Sequence, residues 1–268
     1  MSETTTTYDP AVDLGLPGLR APGPAVRNSG LLAGVSIVLP CFNEAANVAD
    51  AVRAATAAGA ANAVDYEVIV VDDGSSDATA QIAARLADAD RHVRLVVHPS
   101  NRGYGGAVRT GLRSARMPWV LLTDADLQFD LRELATFVPL ARDADLIAGW
   151  RIARQDPPHR RLNAAAWNWL MHRSFKLPVR DVDCAFKLIR RDLLQQLALT
   201  SAGAMISTEL VVRAVAAGAT IREVGVHHLP RVAGEQSGAS PRVVIKAFRE
   251  LARLHGELRR LPARMAMV

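Results

Sequence analysis

Five short apolar runs mark the first half of the chain: VSIVL at 35–39, EVIVV at 67–71, VRLVV at 93–97, WVLLT at 119–123 and DLIAG at 145–149. Each has the composition of a strand, and the Ala-rich or amphipathic stretches between them, such as Glu44–Ala58 and Ser75–Asp88, have the pattern of helices. Runs this uniformly apolar predict strands buried on both faces. Their alternation with helices predicts an α/β fold, a mostly parallel Rossmann-like sheet flanked by helices. In such sheets ligands gather at the carboxyl ends of the strands, so the residues just after each run carry the candidate chemistry.

After Arg151 the pattern changes. A Trp-rich amphipathic segment at 160–176, the stretch DVDCAFKLIRR, a helix around Thr208–Ala217 and a strand IREVGV predict the remainder of the same domain, closing over the sheet edge. The segment 241–261 predicts a helix with Val244, Ala247, Leu251, Leu254, Leu258 and Leu261 at three-and-four spacing, and Lys246, Arg249, Arg253 and Arg260 off that stripe. Such a helix would lie in a membrane interface, apolar face down and cations on anionic head groups. The same spacing is a heptad seam that would pair subunits in a homo-oligomer or dock on the domain. Trp167 and Trp169 fit either a core or a lipid boundary. The Thr-, Pro- and Gly-rich start predicts a flexible leader over 1–33, a main domain over 34–238 and a C-terminal amphipathic helix within 239–268.

Composition narrows the partners. Of 268 residues 50% are hydrophobic and 22% charged, as in a globular protein with a real core. Two cysteines, Cys41 and Cys184, are too few for a disulfide framework and point to a reducing, cytoplasmic setting. No apolar run reaches the roughly 18 residues needed to cross a bilayer, which leaves peripheral contact with the cytoplasmic face of a membrane. A net charge of +5 favours phosphate-rich partners. The arginines are scattered and no zinc-finger spacing or RNP-type aromatic motif is present, so nucleic acid is not expected.

The first strand ends in PCFNE, without the glycine-rich turn a dinucleotide fold needs. The second ends in VDDGSSD, where a carboxylate at the strand tip would accept hydrogen bonds from a base or ribose, or equally cap the next helix. The fourth ends in TDADLQ. On an extended segment Asp124 and Asp126 would point the same way, with Gln128 continuing the row. Two carboxylates and an amide oxygen suit Mg2+ or Mn2+, hard ions that share their shell with diphosphate oxygens. His227 and His228, adjacent on a strand, point to opposite faces and are not read as a metal pair.

Taken in order, PCFNE, VVDDGSSDAT, NRGYGGAVRTG, DADLQ, the Gly149–Arg151 pair and RVAGE at 231–235 resemble the inverting GT-A glycosyltransferases. The resemblance is greatest to the dolichyl/polyprenyl-phosphate mannosyltransferase branch, and it spans Val35 to Ser237. It implies that Pro40, Phe42, Asn43 and Glu44, with Val71 and Asp73, hold the nucleoside of a nucleotide-sugar donor. Phe42 stands where that family usually has Tyr. Asp124, Ala125 and Asp126 would contact donor and metal, with Gln128 as a further ligand. Arg151 and Arg231 would reach phosphates of donor or acceptor. The loop after Arg231 departs from the family's R-x-x-G-x-S-K: Gly238 stands where Lys is usual, so either Arg242 or Lys187 would supply that charge or the acceptor phosphate would be held differently. A lipid-phosphate acceptor is already an oxyanion and needs no general base. A hydroxyl acceptor would need one, and Asp181 or Asp183 would serve, unless that pair is bonded to Arg180 or Arg190. The implied reaction moves mannose or glucose from a GDP- or UDP-sugar to polyprenyl phosphate. The alternative is a same-fold transferase acting on a saccharide or small metabolite. A nucleotidyltransferase is disfavoured by the missing glycine-rich loop.

Overall fold

The computed structural model describes residues 30–152, 158–175, 177–231 and 241–259. They build a seven-stranded sheet in the order β3-β2-β1-β4-β6-β5-β7. The parallel half consists of β1 (Val35–Cys41), β2 (Tyr66–Asp72), β3 (Val93–Val97) and β4 (Trp119–Leu122), connected through α1 (Val48–Asn62), α2 (Thr79–Ala89) and α3 (Tyr104–Ser114). Every residue of the central β1 is buried, whereas β3 at the sheet edge is mostly half-exposed. The expected burial on both faces thus holds inside the sheet and fades where a strand has only one neighbour.

Beyond β4 come a short α4 (Leu134–Phe137), β5 (Leu146–Ile152), α5 (Pro158–Phe175), β6 (Lys187–Arg190), α6 (Arg191–Gln196), α7 (Met205–Ala216), β7 (Ile221–His227) and α8 (Pro241–Arg259). β6 runs antiparallel between β4 and β5, and β7 adds parallel to β5. The stretch DVDCAFKLIRR therefore does not close over the sheet edge; its KLIR portion enters the sheet. Two apolar residues flanked by Lys187 and Arg190 make too short a run for hydrophobic pattern to reveal a strand. Side chains alternate between two cores, one per sheet face. Leu39, Leu121 and Leu188 join Phe137 and Phe186 on one side. Val38, Leu122 and Ile189 join Met171 and Leu210 on the other.

Two boundaries move. Leu32 lies in the span read as a leader, yet it is fully buried, forms a parallel bridge with Ala63, and donates its N–H to the Asn62 carbonyl at 3.0 Å. Residues 1–29 lie outside the described ones. α1 starts at Val48 rather than Glu44, because the Glu44 carbonyl first closes a turn onto the N–H groups of Asn47 and Val48, both at 2.9 Å.

The described part of the α8 stripe packs on its own domain. Leu254 is buried, and Ala247 and Leu251 lie against the second core. Glu250 accepts from the Ala202 N–H at 3.0 Å, and Glu257 pairs with Arg213 at 2.6 Å. The side chains of Val244, Lys246, Leu258 and Arg242, and all of Arg260 and Leu261, lie outside the described residues. Trp167 meets Phe248 edge-on at 5.7 Å between ring centroids, while Trp169 is 68% exposed. Among the described residues no helix is long and apolar enough to cross a membrane.

Candidate functional site

The loops after β1 and β2 are stitched into one unit. Asn43 adopts a left-handed backbone (φ 56), which asparagine tolerates better than most residues. Its Oδ1 accepts from the Ser76 N–H at 2.9 Å, and its own N–H donates to Ser75 Oγ at 2.9 Å. Glu44 N donates to Thr79 Oγ1 at 2.8 Å and Ala45 N to Asp77 Oδ2 at 3.1 Å. Asp77 also accepts from Thr79 N at 2.9 Å, one residue ahead of the α2 N-cap Ala78, which has no side-chain cap, and no acidic residue lies in the first turn of α2. Gly74, at φ 71, is required where the chain passes Ser100: a Cβ would sit 2.8 Å from that residue's carbonyl carbon.

The residues implied for the nucleoside are thereby distributed. Pro40 pairs with Val71 in the sheet, and Val71 is fully buried, so its side chain belongs to the core. Phe42 is 43% exposed, a free apolar ring beside the stitched loops. Asp73 is enclosed; its Oδ1 meets His98 Nδ1 at 2.6 Å and the Arg102 N–H at 2.9 Å. His98 in turn reaches Thr110 Oγ1 through Nε2 at 2.9 Å. The neighbouring Asp72 keeps one buried oxygen, Oδ1, without a hydrogen-bond partner.

The acidic motif after β4 is a turn, not an extended row. The strand stops at Leu122, and Leu127 takes a left-handed φ of 60. The Gln128 N–H folds back to Asp126 Oδ1 at 3.2 Å, and its Nε2 donates to the Leu229 carbonyl at 3.1 Å. Pairing of Phe129 with His228 pulls the chain toward β7 at this point, which accounts for the bend. Asp124 and Asp126 still interact: burial, reinforced by Asp126, pushes the Asp124 carboxyl up to about 6. Burial also raises Asp126, against the opposing Gln128 N–H and Arg231. Ala125 between them is buried in the core.

Two guanidinium groups flank this turn. Arg231 pairs with Glu44 and lies 3.8 Å from Asp126 Oδ2, tying the C-terminal part of the chain to both acidic loops. Arg151, on β5, donates from Nε and Nη2 to the two oxygens of Asp181 at 2.6 and 2.8 Å. Burial would lower its pKa, but that bidentate pair more than offsets it and holds the group firmly charged. Asp181 is thus bonded to Arg151 rather than to Arg180 or Arg190, which pair with Glu223 and Asp145. Asp183 has its carboxyl pushed up by burial, with Arg151 opposing. Lys187 is fully buried, its ammonium donating to the carbonyls of Val182 and Cys184. It braces the loop from beneath and has no exposed surface to offer an acceptor. The Arg242 side chain lies outside the described residues.

Two buried carboxylates side by side resist being charged together, which is why Asp124 holds its proton to about 6. Among the described residues no three His, Cys, Asp or Glu side chains converge on one point. A hard divalent ion at this turn would have two carboxylates from the chain and would take the rest of its shell from an amide, water and ligand phosphates, as Mg2+ commonly does. Pattern reading missed two contacts: the His98–Asp73 pair, and a hydrogen bond from Tyr104 Oη to Asp124 Oδ1 at 2.8 Å. The second was available only as an unexplained tyrosine inside NRGYGG.

The sequence model of glycosyl transferase family 2 matches residues 36–198. The "Uncharacterized glycosyltransferase Rv0539" of Mycobacterium tuberculosis is 35% identical over 205 residues, 75% of this chain and 88% of that protein. An undecaprenyl-phosphate 4-deoxy-4-formamido-L-arabinose transferase of Pseudomonas fluorescens is 32% identical, over 80% of this chain and 62% of its own. The fold is shared with glucosyl-3-phosphoglycerate synthase from Mycobacterium tuberculosis, solved with Mn2+, UDP and glucosyl-3-phosphoglycerate. That match has a TM-score of 0.67 at 18% identity, covering 94% of this chain and 87% of the other. The chain belongs to glycosyl transferase family 2 and is a nucleotide-sugar glycosyltransferase of the GT-A fold.

Proposed function

We propose that the chain transfers a hexose, mannose or glucose, from a GDP- or UDP-sugar to polyprenyl phosphate, with inversion at the anomeric carbon. The observation that carries this reading is the pairing of a buried acidic turn, Asp124 and Asp126, with two firmly placed guanidinium groups, Arg151 and Arg231. That arrangement suits a site handling two phosphate-bearing partners. Mg2+ or Mn2+ at the acidic turn, with Gln128 as a further ligand, would neutralise the departing nucleoside diphosphate. Phe42 would lie against the base and Asp73 would accept from the nucleoside. Arg231 would follow the donor phosphates, and Arg151, oriented by Asp181, would hold the acceptor phosphate in line. The commitment of Asp181 to Arg151 leaves it unsuited to act as a base, which favours an acceptor that is already an oxyanion. The name of the undecaprenyl-phosphate relative supports the same acceptor class.

The test is partition of label. Sugar from a labelled nucleotide donor should become extractable into organic solvent when polyprenyl phosphate is added, and a chelator should abolish this. Label that stays in water on a saccharide or small metabolite would select the second reading, a hydroxyl acceptor. Two observations favour that one: the raised carboxyl of Asp183 is a candidate base, and the fold neighbour was solved with glucosyl-3-phosphoglycerate.

Cation binding should depend on pH. The folded Asp124 carboxyl sits near 6, above its ordinary 3.8, because burial disfavours the charge. The folded protein thus holds this proton more tightly than the unfolded chain does. Its contribution to metal-free stability falls as pH rises from about 4 to about 6, and a bound divalent ion offsets the loss above that window. Calorimetric titration with Mn2+ should show affinity nearly level above pH 7 and falling toward tenfold per unit below about 6, as a proton must be displaced. An affinity independent of pH between 5 and 8 would contradict the role given to Asp124.

A further inference from the structure

Tyr104 opens α3 directly after Gly103, whose φ of 82 lets the chain turn into the helix. The ring packs against the core on that face of the sheet, and its hydroxyl donates to Asp124 Oδ1 at 2.8 Å. Burial and the Asp124 charge keep the phenol protonated, and so a donor. The other oxygen of Asp124, Oδ2, accepts no hydrogen bond among the described residues.

The platform beneath Tyr104 is rigid. Gly105 donates its N–H to the Ala202 carbonyl at 3.1 Å, and a Cβ there would lie 2.4 Å from the Ser201 carbonyl oxygen. That loop is held in turn by Glu209, which accepts from the Ser201 N–H at 2.7 Å, and by Glu250 of α8 on Ala202. The phenol is therefore presented by a helix end braced from behind.

We propose that Tyr104 is a positioning residue for the transfer reaction: its hydroxyl pins one oxygen of Asp124 so that the other faces the cation and diphosphate of the donor. This rests on the reading that Asp124 contacts that complex. A carboxylate turns easily about its last side-chain bond, whose torsional wells are broad. Without the phenol, Asp124 would spread over orientations of which only a few meet the ligand.

The isosteric variant Tyr104→Phe removes the hydroxyl and keeps the ring. Mn2+ binding, read by electron paramagnetic resonance with and without UDP or GDP, should weaken about 10- to 100-fold, the usual effect of losing a group that orients a metal ligand. The thermal midpoint should change little, and turnover at saturating Mn2+ should fall less than affinity does. In an Asp124→Asn background the same change should have no further effect, whereas a purely structural role would weaken binding equally in both. Unchanged Mn2+ affinity in Tyr104→Phe, or an equal loss in both backgrounds, overturns the proposal. A wild-type chain that binds no Mn2+ under any of these conditions overturns both it and the metal-dependent reading beneath it.

Discussion

Asp126→Asn should reduce sugar transfer on the order of 10³-fold while leaving the fold intact. A cation opposite a leaving diphosphate contributes several kcal/mol of charge stabilisation, and each 1.4 kcal/mol or so is a factor of ten in rate. Asn keeps the size of Asp126 and still offers an oxygen to the Gln128 N–H, so the turn should persist. The amide removes the charge that Arg231 faces across 3.8 Å and that raises Asp124. Steady-state rates at saturating donor, with circular dichroism as the control for folding, measure the effect. Transfer within threefold of wild type would remove Asp126 from the reaction and with it the metal-dependent mechanism.

Asp181→Ala should be the most destabilising single change at the site. Arg151 and Asp181 are both largely buried and joined by two short hydrogen bonds. Taking away one partner strands a charged guanidinium in a low-dielectric setting, which costs about 3–5 kcal/mol. For a domain of this size that corresponds to a fall of roughly 6–20 °C in thermal midpoint. The double variant Asp181→Ala, Arg151→Met should recover much of the loss, because the uncompensated charge is then gone. A single variant that melts within 2 °C of wild type would mean that water or another group already satisfies Arg151.

The parallel half of the sheet was legible because each strand is a continuous apolar run with a helix between it and the next. The place of the acidic motif, though not its turn, was legible for a related reason: residues that follow a strand are forced to its carboxyl end, whatever the tertiary details. β6 was not, since a strand of four residues with a buried Lys187 carries too little hydrophobic pattern. The bend through Leu127 was also hidden, because a left-handed residue other than glycine leaves no compositional mark. The pairings that define the site join Tyr104 to Asp124, Arg151 to Asp181 and Glu44 to Arg231, residues 20, 30 and 187 positions apart. Periodicity reports on a residue's face, not on its partner across the fold. The apolar stripe of α8 shows the limit from the other side: its spacing fitted membrane, partner subunit or own domain, and the described part lies on its own domain.

The wedge position of β6 bears on how the chain comes together during synthesis. β4 ends at Leu122 and its outer neighbour arrives only with Lys187–Arg190, so some sixty residues emerge from the ribosome before that edge is covered. Until then the row Trp119–Leu122 presents open backbone groups, the kind of template that recruits a strand from another nascent chain. β1, β2 and β4 are all made before β6 exists, whereas β5, which carries Arg151, is joined to them only through β6. The two halves of the candidate site would on this account ripen in succession, the first on a scaffold still open along one side.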